Sequence, residues 1–196
     1  AHERTFVNIT DSSKKYIQQS YGIINEWKDG YWISVRNNIQ ATQNGIFENR
    51  SQTSQVILNT IKRNTTFKEA NRQLFFNNWI LLVKKENKII QSLAANWSHY
   101  SVGDNGIFIQ NIFAGIDAEI IILNGKVKTN FIIRRNELGV FDELVFRDRY
   151  KSTKALTFAF ENETQNSSGI DNIIGYEGEQ AVVEIGMAHA YIDEKM

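Results

Sequence analysis

The chain has 196 residues, with 22 Lys and Arg against 22 Asp and Glu, so no net charge draws it to nucleic acid or to an anionic membrane. It has no cysteine, which excludes disulfides, thiolate nucleophiles and Cys-ligated metal centres, and no proline, so Gly, Asn, Asp and Ser must make its turns. A hydrophobic fraction of 42% and a charged fraction of 22% are ordinary for a globular protein, and the length fits a single domain, 1–196, with a core of its own.

Residues 1–75 read as a mainly helical segment. The opening residues, Ala1 to Asp11, lack the apolar stretch of a signal peptide. Asp11 or Ser12 is placed to cap a helix in which Tyr16, Ile17, Ser20, Ile23, Ile24 and Trp27 recur at three- and four-residue spacing, and Lys28-Asp29-Gly30 ends it. Tyr31 to Arg36 fits a short strand and the start of a second helix equally well. Asn44-Gly45 marks a turn. Ser51 to Arg63 reads as a helix capped by Ser51 or Thr53, with Val56, Ile57 and Ile61 buried.

From Trp79 the apolar period becomes two. Trp79 to Val83 and Lys88 to Ala94 predict hairpin strands joined through Glu86-Asn87, and Ile107 to Phe113 follows the turn Gly103-Asp104-Asn105-Gly106. Ala118 to Leu123 and Val127 to Arg134 flank Asn124-Gly125, a pair suited to the two positive-φ positions of a type I′ turn. Val140 to Phe146, Lys154 to Glu161 and Gln180 to Ile192 complete about eight strands, with Asn162 to Gly178 as a long polar surface loop. In the last strand Val183, Ile185, Met187, His189 and Tyr191 share one face. Gly186, Ala188 and Ala190 share the other, small enough for another element to approach closely.

Short connections favour antiparallel pairing. The fold class expected is therefore α+β and β-rich: an antiparallel β-sandwich, jelly-roll-like, or a barrel of about eight strands. The mainly helical segment 1–75 packs on the β-rich body 76–196. No window reaches the roughly 18 apolar residues of a membrane span.

Sites of chemistry are sparse. The three histidines, His2, His99 and His189, form no pair at metal-ligand spacing. No Gly-x-Ser-x-Gly elbow, Gly-x-Gly-x-x-Gly or Gly-Lys-Ser/Thr occurs, and Asp104-Asn105-Gly106 lacks the later ligands of a calcium loop. No catalytic residue, cofactor or metal is assigned. Asp142 falls on the apolar face of Val140, Leu144 and Phe146, where a carboxylate needs a partner; Arg134, Arg147 and Arg149 are the candidates. Asn-X-Ser/Thr triplets begin at Asn8, Asn49, Asn64, Asn96, Asn162 and Asn166, and are read as a product of the composition rather than as glycosylation sites.

Aromatic clusters remain. Trp97, His99 and Tyr100 form a candidate binding site for a sugar ring or a protein, with capping of one end of the sandwich as the structural alternative. Trp27, Tyr31 and Trp32 form a candidate interface. The function expected is a non-enzymatic recognition or assembly module that binds a glycan, a protein partner or its own copies, and not nucleic acid. In this the chain has the general look of virion and tail components and adhesin-like heads, with an extracellular, surface or virion location. Two alternatives stand beside it. The stretches Val83-Lys84-Lys85-Glu86-Asn87-Lys88-Ile89-Ile90 and Gly175-Tyr176-Glu177-Gly178-Glu179-Gln180-Ala181-Val182 resemble PAS-like sensor domains, which implies an extracytoplasmic ligand sensor, although the strands after residue 105 are too many for that fold. A carboxylate-dependent hydrolase would use Asp142, Glu161 and Glu184.

Overall fold

Strand alternation, not helical spacing, governs the whole described chain. The computed structural model describes residues 2–7, 15–20, 24–28, 31–35, 37–49, 54–69, 71–123, 126–134, 137–161 and 172–186, the first four segments by their backbone alone. Two hairpins come first, β1 (His2–Val7) with β2 (Lys15–Ser20) and β3 (Ile24–Lys28) with β4 (Tyr31–Val35). A meander follows: β5 (Ile39–Gln43), β6 (Ile46–Asn49), β7 (Ser54–Asn59), β8 (Asn64–Glu69) and β9 (Arg72–Phe76). The hairpin of β10 (Ile80–Lys85) and β11 (Lys88–Ala94) is next. A second meander runs through β12 (Tyr100–Val102), β13 (Gly106–Phe113), β14 (Ile116–Leu123) and β15 (Lys126–Ile133). Then β16 (Glu143–Arg147) returns to β10, β17 (Lys151–Ser152) returns to β9, and β18 (Thr157–Glu161), β19 (Asn172–Glu177) and β20 (Gln180–Gly186) form a C-terminal sheet.

The sheets are thus ordered β17-β9-β8-β7-β6-β5, β11-β10-β16, β12-β13-β14-β15 and β18-β19-β20. The first three share one buried cluster. Phe47, Val56 and Leu58 enter it from the six-stranded sheet, Trp79, Leu81 and Val83 from the β10 segment, and Ile107, Ile109, Ile116, Ala118, Ile120 and Ile122 from β13 and β14. Facing antiparallel sheets that bury alternate residues in common are consistent with a β-sandwich.

The expected helices are corrected. Ser51 to Arg63 is not a helix: Ser54–Asn59 is a strand hydrogen-bonded between β6 and β8. Val56 and Leu58 are buried at alternate positions, whereas Ile61, expected inside, is 68% exposed in the turn beyond. The β-branched residues satisfy both periods on paper, and pairing to neighbours on both sides decides for two. The predicted helix over Tyr16 to Trp27 is replaced by β2 and β3, and Tyr31 to Arg36 resolves as the strand β4. Among the described residues of 1–75 there is no helix.

The later strands stand where alternation put them, but they are more than eight, because β12, β17 and β19 were not anticipated. Part of the expected loop Asn162 to Gly178 is β19; residues 162–171 lie outside the described residues, as do Met187, His189 and Tyr191. Glu86 and Asn87 take φ of 51° and 60°, the paired left-handed geometry of a type I′ turn. Leu123 pairs with Lys126, and the expected turn Asn124-Gly125 lies outside the described residues.

Gly106 shows how closely β13 and β14 approach. A Cβ there would lie 2.0 Å from the Ile120 carbonyl oxygen, a backbone atom that can retreat only by breaking the ladder. Gly106→Ala is therefore expected to exceed the roughly 1 kcal/mol of a typical destabilising substitution. A urea unfolding midpoint equal to that of the parent chain would refute it.

Candidate functional site

Two neighbouring strand pairs change sheets together. β9 pairs with β17 in the six-stranded sheet, and β10 pairs with β16 in the three-stranded one, so the links at residues 77–79 and 148–150 pass side by side from one sheet to the next. At this corner the ladder is interrupted and backbone amides need other acceptors. Asp148 supplies them. One oxygen accepts the Asn77 N–H at 2.9 Å and the other accepts the Asn78 N–H at 2.9 Å. The Arg149 amide and the Trp79 indole N–H also donate to this carboxylate, and Tyr150 hydrogen-bonds to it.

The surroundings fix the corner further. Asn77 is buried with φ of 63°, a conformation asparagine tolerates better than most residues. Its Nδ2 donates to Thr65 Oγ1 at 2.8 Å, and Thr129 Oγ1 donates to its Oδ1 at 3.4 Å, which draws in the six-stranded and four-stranded sheets. Tyr150 stacks on Phe76 with ring centroids 6.1 Å apart. Burial pushes the Asp148 carboxyl above its ordinary value of 3.8, against the pull of the donors. Burial and the nearby Asp148 charge push the Tyr150 phenol up as well. The cluster is a backbone clamp: the acceptor positions of Asp148 are already occupied, and Tyr150 stays protonated at neutral pH.

Trp79 carries the corner into the core by stacking on Trp97, 5.6 Å between centroids at 22°. Such pairs contribute about 0.5–1.5 kcal/mol beyond the area they bury. Trp97 therefore does not stand at an exposed binding face. It is 1% exposed, because its segment is strapped across its neighbours by Ala95 N–H to Trp79 O, Asn96 N–H to Ile112 O and Gln110 N–H to His99 O. Its indole N–H has no hydrogen-bond partner, and neither end of the buried Asn49 amide has one. Tyr100 is half-buried with its ring edge-on to Phe47, and of the three expected binding residues only His99 is exposed. Trp27 and Trp32 are cross-strand partners in the β3–β4 hairpin, and Lys28 pairs with Tyr31. The side chains of Trp27, Tyr31 and Trp32 lie outside the described residues.

Asp142 does not take an arginine. It accepts the Glu86 N–H at 2.6 Å and so secures the β10–β11 turn, while its own N–H donates to Lys84 O at 2.9 Å. Arg134 goes instead to Asp117, which sequence reasoning overlooked. Asp117 is 2% exposed, accepts Arg134 through both oxygens at 2.7 and 2.8 Å, and accepts the Asn111 N–H at 2.7 Å. It thereby holds the irregularity between Ile109 and Phe113, where Asn111 has φ of 50°. An acid near the start of the largely apolar run Ile116–Leu123, facing a basic residue just past the end of the next strand, was the available signal.

Glu143 pairs with Lys84 at 2.9 Å. Arg72 Nε donates to Glu177 at 3.0 Å, joining the C-terminal sheet to β9 and holding that carboxyl below its usual range. Among the described residues no group of three His, Asp or Glu side chains could hold a metal ion, and no helix is long and apolar enough to cross a membrane. No protein-family model, curated protein or solved structure matches the chain.

Two consequences are measurable. Asp117→Ala leaves the Asn111 amide without its acceptor, while the half-exposed Arg134 keeps Asn111 Oδ1 and water, and is expected to cost about 1–3 kcal/mol; chemical denaturation reads it, and a loss near zero contradicts the clamp. Asp148→Asn removes one of two amide acceptors and should cost about 1–3 kcal/mol. Its pH dependence has a definite sign. A carboxyl raised in the folded state holds its proton there more tightly than in the unfolded chain, so its contribution is complete below 3.8 and declines as pH rises through the folded value. The stability gap between the parent chain and Asp148→Asn should narrow as pH rises above 3.8, and a gap that widens would reverse the assignment.

Proposed function

We propose that this chain is a recognition or assembly module of an extracellular, surface or virion-type component. In this reading it engages a protein partner or its own copies, with a glycan as a further ligand class. The jelly-roll-like form of the sandwich belongs to the same reading and is supported by the paired sheet-crossing at residues 77–79 and 148–150.

The supporting observation is where apolar side chains face water. Val140 is 73% exposed, Ile89 55% and Ile90 47%. The bonds from Asp142 to Glu86 N–H and Lys84 O hold the loop bearing Val140 against the hairpin bearing the two isoleucines. Exposed apolar groups gathered at one end of a sheet mark interaction surfaces, whereas scattered ones do not. The carboxylates nearby already have partners in the fold: Asp142 holds an amide and Glu143 holds Lys84.

The alternatives find less support. A hydrolase built on Asp142, Glu161 and Glu184 would need them in one cleft, yet Asp142 adjoins the β10–β16 pair while Glu161 and Glu184 belong to β18 and β20. A sensor would need an enclosed pocket, and the groove lined by Phe67, Glu69, Arg72, Leu74, Leu156 and Val182 is too narrow for one.

Val140→Asp tests the reading. At so exposed a site it should change stability by no more than about 0.5 kcal/mol. It should also weaken binding to the ligand that a glycan array or a displayed peptide library returns for the parent chain. Hydrolysis of a glycoside panel that disappears in Asp142→Asn would make the chain an enzyme and end the proposal.

A further inference from the structure

We infer that β11 is a self-pairing edge, on which a second copy of this chain adds its own β11 antiparallel across a two-fold axis. The inference rests on the module reading and names the partner of its exposed end.

The first ground is a comparison of edges. A free strand edge invites another strand, and proteins protect such edges with charge, brevity or cover. Among the edges whose side chains are described, β12 and β17 span three and two residues, and β5 begins with Ile39 N–H already bonded to Asp104 O. β15 carries Lys126 and Lys128, β16 carries Glu143 and Arg147, β18 carries Glu161, and β20 carries Glu184. β11 has seven residues, six of them exposed, and its sole charge is Lys88 at one end. Its pairing to β10 is irregular at Val83/Lys84, which leaves Ile90 without a cross-strand partner and puts Ile89 and Ile90 side by side in solvent.

The second ground is charge. The run Ile89 to Ala94 is uncharged, so an antiparallel two-fold pairing brings no like charges together. With the axis near Gln91 the two Lys88 residues lie six positions apart along the ladder, about 20 Å at the antiparallel rise. A parallel arrangement would set them beside each other. Antiparallel pairing extends the sheet β16-β10-β11 into its mate and lays Ile89 and Ile90 against the partner's edge. A contact of this length is smaller than the roughly 800 Å² per partner of a stable complex, so the dimer is weak.

The test is sedimentation equilibrium of the full chain across about 10 µM to 1 mM, a range set by the weak affinity expected of so small a contact. The parent chain should pass from monomer to dimer, and Ser92→Lys should remain monomeric with an unchanged thermal midpoint. Because the chain has no cysteine, a single cysteine introduced at Ser92 should cross-link to its mate with a short bis-maleimide, whereas one at Lys126 should not. A parent chain that is monomeric at the highest concentration overturns the inference. So does a dimer that survives Ser92→Lys but is lost on Ile33→Lys in β4. The monomer result leaves the recognition of other ligands to the Val140→Asp experiment, which separates failure of this contact from failure of the module reading.

Discussion

The Asp148 carboxylate, bound by the amides of Asn77 and Asn78, is the interaction on which the arrangement of sheets depends. Without it, two strand pairs would cross between sheets with their amides unsatisfied in a half-buried corner. With it, the left-handed turn at Asn77 is held, Trp79 is aimed into the core, and Trp97 has a partner to stack on. The core cluster then collects side chains from three sheets around that pair.

The same device recurs. Asp117 holds the irregular stretch of β13, and Asp142 holds the turn between β10 and β11. In a chain without proline, tight turns and irregularities rest on left-handed residues, here Asn77, Asn87, Asn111, Glu86 and Arg63. These conformations are costly for residues other than glycine, and persist where surrounding bonds determine them. Acidic side chains facing exposed amides are one such source. This also explains why Asp142, which looks available for chemistry in the sequence, is engaged by backbone in the fold.

The strands of the second half were legible because their apolar residues alternate without competing spacing. Trp79 to Val83, Ile107 to Phe113 and Ala118 to Leu123 can bury a face only as strands, and Glu86-Asn87 lies between two such runs. The first half was not legible for the converse reason. Val56, Ile57 and Ile61 satisfy helical spacing, and only pairing with β6 and β8, which lies beyond any local window, selects the strand. Trp97 misled differently. Its polar neighbours Asn96, Ser98 and His99 mark a turn, and a turn implies exposure, but the bonds of Ala95 and Asn96 to Trp79 and Ile112 press this turn onto the core. Asp148 went unnoticed as an organising residue because its partners at hand are the backbone amides of Asn77 and Asn78, which no residue-type pattern records, whereas Asp117 was missed although its partner Arg134 is a side chain.

The corner also has a history in time. The bond from Asn77 to Asp148 spans 71 positions of sequence, whereas the bond from Asn111 to Asp117 spans 6. Closing so long a loop must be paid for in chain entropy before the contact returns anything, and folds rich in such distant pairings assemble slowly. On that ground the two meanders, whose strands pair with immediate neighbours, are expected to form ahead of the corner and of the Trp79–Trp97 stack. In such an order of events β11, with six of its seven residues exposed in the finished fold, is also an edge on which chains folding close together can pair.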